Sequence, residues 1–175
     1  WLATLLARRQ LRDGAEHQTI PLPASTVRAI NNGALQELNC DAQVQTIVDR
    51  YRQWQQDPRR GLVALTGDRG VGKKVLMAQL ADALDAPAFQ ATAPMAHTQE
   101  IQALEWLSQV AQVQTATNSE HLVEALKKLP PSVFLLSNVH RLFLRTVGHY
   151  QGLDAVLKVM QATARHHFWI CSFHH

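Results

Sequence analysis

One stretch restricts the fold of this chain more than any other. The apolar run Leu62-Val63-Ala64-Leu65-Thr66 leads straight into Gly67-Asp68-Arg69-Gly70-Val71-Gly72-Lys73-Lys74, and Val75, Leu76, Leu80 and Leu84 then recur at helical spacing. The spacing predicts a strand, a tight glycine-rich loop and a helix over 73–84. Gly67, Gly70 and Gly72 permit backbone angles that other residues avoid. Successive amides can then turn inward as a nest for an anion. The start of the helix adds its positive end, about 0.3–1 kcal/mol for an adjacent anion. The pattern matches G-x-x-x-x-G-K-[ST] at every position but the last, and Lys73 is placed to reach the outer phosphates of a nucleotide. Where the pattern has a hydroxyl for magnesium, this chain has Lys74.

The flanking sequence alternates between two kinds of element. Val44, Ile47, Val48, Tyr51 and Trp54 mark a helix over 41–56, with Asn39 or Asp41 as its cap and Asp57-Pro58 as its end. Residues 86–91 are a short strand candidate, and Ile101, Leu104, Leu107 and Val110 form a helical stripe within 99–112. Ser119 caps a further helix through Leu129, which Pro130-Pro131 terminates. The uninterrupted apolar run Val133-Phe134-Leu135-Leu136 is a buried strand. Leu153, Val156, Leu157 and Met160 mark another helix, and residues 167–173 (HFWICSF) make a last strand. This order implies an α/β fold, a three-layer sandwich around a mostly parallel sheet. The expected domain covers 38–175. Residues 1–37 precede it as a helix and a linker, the helix being amphipathic with a basic end at Arg8, Arg9 and Arg12. A second reading makes those arginines the cytoplasmic exit of a membrane helix lying before Trp1.

Composition narrows the setting. The 175 residues carry a formal charge of +3, a mild basic tilt that suits anionic ligands without selecting one. Cys40 and Cys171 are far apart and show no metal-ligand spacing, so a reducing, cytoplasmic compartment is expected. No apolar run reaches the ~18 residues of a membrane span. No basic stripe interleaved with aromatics is present, so nucleic acid is not indicated. Trp54, Trp106 and Trp169 fall on apolar stripes and read as core. His166-His167 has no acidic or cysteine partner at ligand spacing, and no metal site is assigned. Because the chain opens on Trp1-Leu2 without an initiator methionine, we expect a segment of something longer.

Four features together resemble a P-loop NTPase of the AAA+ type or its STAND relatives: the helix over 41–56, the loop GDRGVGKK, the strand VFLLSN and the strand HFWICSF. The likeness covers roughly residues 38–175. It implies a nucleotide site formed by Gly67, Asp68, Arg69, Gly70, Val71, Gly72, Lys73, Lys74 and Val75, with ATP or ADP as ligand. It also implies that the family's last core strand and helical lid are missing from this segment. In that family the strand matching VFLLSN ends in an aspartate that organises magnesium and a glutamate that activates water. Here those positions hold Ser137 and Asn138. An asparagine cannot take a proton from water at neutral pH. A neutral serine is a weak partner for a hard dication. Lys74 has no lone pair for magnesium and repels it if turned inward.

The resemblance further implies a polar sensor residue on the last strand, where Ser172 fits best and His174 follows. Arg141 and Arg145 stand where an arginine could face a neighbouring subunit's nucleotide. The expectation is a nucleotide-binding pseudo-ATPase, with little or no hydrolysis, acting with protein partners or copies of itself. Lys74 either replaces magnesium electrostatically or lies in solvent. One alternative is an active ATPase completed in trans, with Arg145 or Asp154 contributing. Another is a nucleotide-free scaffold.

Overall fold

The computed structural model describes residues 40–174 apart from 60, 96, 98 and 144–149, so the helix and linker expected over 1–37, and Arg145, lie outside the described residues. Four strands, β1 (Leu62–Leu65), β2 (Ala88–Thr92), β3 (Val133–Ser137) and β4 (Phe168–Ser172), form one sheet in the order β1-β4-β3-β2. Every pairing is parallel, with Leu62 opposite Trp169, Val133 opposite Phe168 and Ala88 opposite Val133. Five helices are described: α1 (Asp41–Gln56), α2 (Lys73–Ala83), α3 (Glu100–Val110), α4 (Ser119–Lys127) and α5 (Gln151–Thr163). The fold is α/β with a parallel sheet covered on both faces.

The two-residue period of the strands divides the core. Phe134, Leu136, Trp169 and Cys171 face one way and pack with Leu104, Leu107, Leu122, Leu126, Val156 and Val159 from α3, α4 and α5. Val133, Leu135, Phe168 and Ile170 face the other way and pack with Ile47, Tyr51 and Trp54 of α1 and Leu76, Met77 and Leu80 of α2. β3 and β4 are buried on both faces, which explains their unbroken apolar sequences. Trp54 and Trp106 are buried and Trp169 is fully enclosed.

Local chemistry fixes the helix ends, with two differences from expectation. Asn118, not Ser119, caps α4: its side-chain oxygen accepts from the His121 backbone N–H at 2.8 Å. Asparagine and serine cap equally well, so the sequence alone left the choice open by one residue. At α1 the cap position is Cys40, which makes no side-chain cap bond, and Asp41 is the first helical residue.

His167 is fully buried between α4 and the sheet. Its Nδ1 accepts from the Ser132 backbone N–H at 3.2 Å, so the ring proton sits on Nε2, which donates to the Leu126 carbonyl at 2.9 Å. The histidine therefore closes the C-terminal end of α4. Burial is the first cause that lowers its pKa, so the ring is held neutral. No helix among the described residues is long and apolar enough to cross a membrane.

Candidate phosphate-binding site

In a parallel sheet the C-terminal ends of all strands lie along one edge, and the connections leaving that edge make the natural ligand site. Here the neighbouring ends of β1, β4 and β3 bring together the loop 67–72, residues 172–174 and residues 137–142.

The loop takes the conformation that its glycines permit. Gly67, Gly70 and Gly72 have φ of +149°, +85° and +87°. Gly72 stands at the cap of α2 in the left-handed region, a geometry that a β-carbon would strain. Lys73, the first residue of α2, folds back over the loop. Its Nζ donates to the Gly67 carbonyl at 2.6 Å and to the Asp68 carbonyl at 2.7 Å. The ammonium is hydrogen-bonded but meets no carboxylate. The ion pairs described are all exposed and elsewhere: Asp49–Arg52, Asp57–Arg59, Glu124–Lys127 and Asp154–Lys158.

Lys74 is exposed on the first turn of α2 and makes no hydrogen bond or ion pair among the described residues. Arg69 and Asp68 are also exposed, Val75 is half-buried, and the apolar Val71 is 59% exposed at the loop's rim.

Beside the loop lies a cavity of about 450 Å³. Gln43, Thr46 and Ile47 of α1 form one wall, and Leu65, Val71 and Leu76 contribute apolar surface. Its size falls within the usual range for small-ligand sites, and its mix of apolar walls and few polar groups is also usual. The apolar spacing of α1 marks it as part of the fold and does not reveal this wall. A glutamine in the first turn of a helix carries no signal by itself.

The end of β3 is tied to the end of β4. The Asn138 backbone N–H donates to the Ser172 hydroxyl at 3.0 Å, and Ser172 is buried at 4% exposure. Asn138 has φ +58°, in the left-handed region that asparagine tolerates better than most residues. Ser137 is half-buried, and its carbonyl accepts from the Ala93 N–H at 2.8 Å. A 3-10 turn, Val139–Leu142, follows and carries His140 and Arg141. The His174 backbone N–H donates to His140 Nδ1 at 3.4 Å, and the two imidazoles meet edge to face with centroids 4.5 Å apart. Desolvation lowers the pKa of His140 first, with further lowering by His174, Arg141, Arg69 and Lys73. These groups therefore share one electrostatic field. His140 was not singled out from sequence, because one histidine after a strand is unremarkable until the sheet order brings it to the loop. Asp154 pairs with Lys158 at 2.7 Å on the exposed face of α5.

The assembled site is a cationic, glycine-lined cradle. Lys73, Arg69 and Arg141 give it positive charge, while Ser137 and Asn138 at the end of β3 are neutral. No group of three or more His, Cys, Asp or Glu able to hold a metal occurs among the described residues. The Cys171 thiol, pushed up to about 12 by burial, offers no nucleophile at neutral pH. No protein-family model matches the chain, and no curated protein matches it.

Proposed function

We propose that this domain belongs to the P-loop class and binds ATP or ADP without efficient hydrolysis, as a regulatory or structural module in a larger cytoplasmic assembly. The observation that carries the reading is the loop itself: three glycines at positive φ between β1 and α2, spanned by a Lys73 ammonium with no carboxylate partner. The phosphates would take the amides of the loop and the Lys73 ammonium. The base and ribose would take the cavity between α1 and the loop, where Gln43 offers a carboxamide with both donor and acceptor.

Weak hydrolysis follows from what stands around that position. Ser137 and Asn138 supply no base for water, and the neutral Ser172 hydroxyl, which accepts the Asn138 amide, supplies none either. Ligand binding would then act by favouring one conformation or one protein interface over another.

Thermal unfolding with ATP, ADP or adenosine, in magnesium and in EDTA, alongside phosphate release over hours, tests this proposal. We expect both nucleotides to raise Tm in either buffer, adenosine to do so weakly, and phosphate release to stay at the level without enzyme. Steady magnesium-dependent turnover would contradict it, and so would a Tm unmoved by either nucleotide.

A further inference from the structure

We propose that His140, packed against His174, takes up a proton to clamp the terminal phosphate, so that a nucleoside triphosphate binds together with a proton where a metal-dependent site would use magnesium. The inference rests on the reading of the loop as a nucleotide site and goes further by naming what neutralises the ligand's outermost charge.

The two imidazoles lie edge to face at the joined ends of β3 and β4, beside the strand end from which the loop departs. The groups acting on His140 are His174 from the end of β4, Arg141 from its own turn, and Arg69 and Lys73 from the loop. None of them is a carboxylate, and the loop's own Asp68 is exposed and offers Lys73 its carbonyl. Protonation of His140 is therefore opposed in the free protein by burial and by four neighbouring groups that are cationic or become so.

A polyphosphate reverses that field. With several negative charges between the loop and the turn, the same imidazole gains an anionic partner and its protonated form is stabilised. Its existing bond prepares the exchange. Nδ1 is only a long acceptor from the His174 amide at 3.4 Å, a contact given up at little cost when that nitrogen gains a proton. On the neighbouring ring, Nδ1 of His174 is enclosed without a hydrogen-bond partner, an unmet polar atom inside the histidine pair.

The sign follows from linkage. Binding raises the proton affinity of His140, so nucleotide affinity rises as pH falls through the bound-state value and levels off below the free-state value. The steepest slope is about tenfold per pH unit for each proton taken up. Because the clamp meets the outermost phosphate, ADP should show a weaker dependence than ATP.

The test is calorimetric titration of ATP into the 175-residue chain in EDTA at pH 7, in two buffers of different ionisation enthalpy, with wild type and the double variant His140→Gln, His174→Gln. The terminal phosphate of ATP itself titrates near this pH, so the informative quantity is the difference between the two proteins. We expect wild type to take up on the order of half a proton more per ATP than the variant, and to gain roughly fivefold or more in affinity between pH 8 and pH 6 where the variant gains less. Wild type measured alone with ATP against ADP keeps the test open should the variant fold poorly. Equal proton uptake by both proteins, or by wild type with both nucleotides, overturns the clamp and leaves the nucleotide site standing. Absence of binding at any pH overturns the nucleotide site itself.

Discussion

The Ser172 hydroxyl accepts the backbone N–H of Asn138 at 3.0 Å, joining the last residue of β4 to the residue that follows β3. This bond ties the residue just before the turn carrying His140 and Arg141 to the end of β4. Asn138 tolerates the required φ of +58° as few other residues do. A residue expected to sense a ligand is therefore first a brace between two strand ends.

Ser172→Ala should lower stability by about 1–2 kcal/mol, the usual cost of leaving a partly buried amide without its partner. It should also weaken ATP binding, because the turn loses its anchor. Urea denaturation and ATP titration of the same sample measure the two effects. A loss of affinity with stability unchanged would mean that Ser172 contacts the ligand directly.

Gly61 and Gly70 should respond to alanine for different reasons. A β-carbon on Gly61 would lie 2.6 Å from the His167 carbonyl oxygen and 2.7 Å from Trp54 Nε1. It would also disturb the Trp54 Nε1 bond to the Ala164 carbonyl at 2.9 Å. Both rigid contacts would have to shift, and a loss of about 3 kcal/mol or more is expected. At Gly70 nothing lies within 4 Å of the added carbon, so only the φ of +85° penalises it. There we expect about 1–2 kcal/mol. Denaturation midpoints of the two variants should differ in that order.

Stability should fall as the protein is acidified, with His167 as a main contributor. Its ordinary value is 6.5, and burial lowers it in the folded chain. Well above pH 6.5 the two states carry the same charge at this residue. As pH drops through that value, the unfolded chain binds a proton that the folded ring refuses, so stability declines by at most about 1.4 kcal/mol per pH unit. The decline stops below the folded-state value. His140 is lowered too and adds a contribution of the same sign. Melting curves between pH 7.5 and 5 should show a smaller decline for His167→Gln than for wild type.

A fourth expectation concerns Lys74. Being exposed on the first turn of α2, it should be replaceable by serine with less than a twofold change in ATP affinity in EDTA. A loss of tenfold or more would restore the idea that this lysine stands in for magnesium.

The sheet was readable from the chain because β3 and β4 are apolar without interruption and the helices keep a single apolar stripe. Even the poor strand candidate at 86–91 forms, as Ala88–Thr92, held in register against Val133–Ser137. The loop was readable because glycine spacing states backbone geometry directly. The rest of the site was hidden for a physical reason. His140 and His174 are 34 positions apart and meet only because β4 pairs with β3. Gln43 joins the site only through the way α1 lies along the cavity. Lys74 could be assigned inward or outward from sequence, since both fit the motif, and its exposure on the first turn of α2 is visible only in the fold.

The most direct test of the central claim is calorimetric titration of ATP in EDTA into wild type and Lys73→Ala. The account requires saturable binding by wild type without magnesium and at least a tenfold loss in the variant, since Lys73 is the one ammonium bonded across the loop among the described residues. Equal affinity in the two proteins, or binding by wild type only when magnesium is supplied, would contradict it.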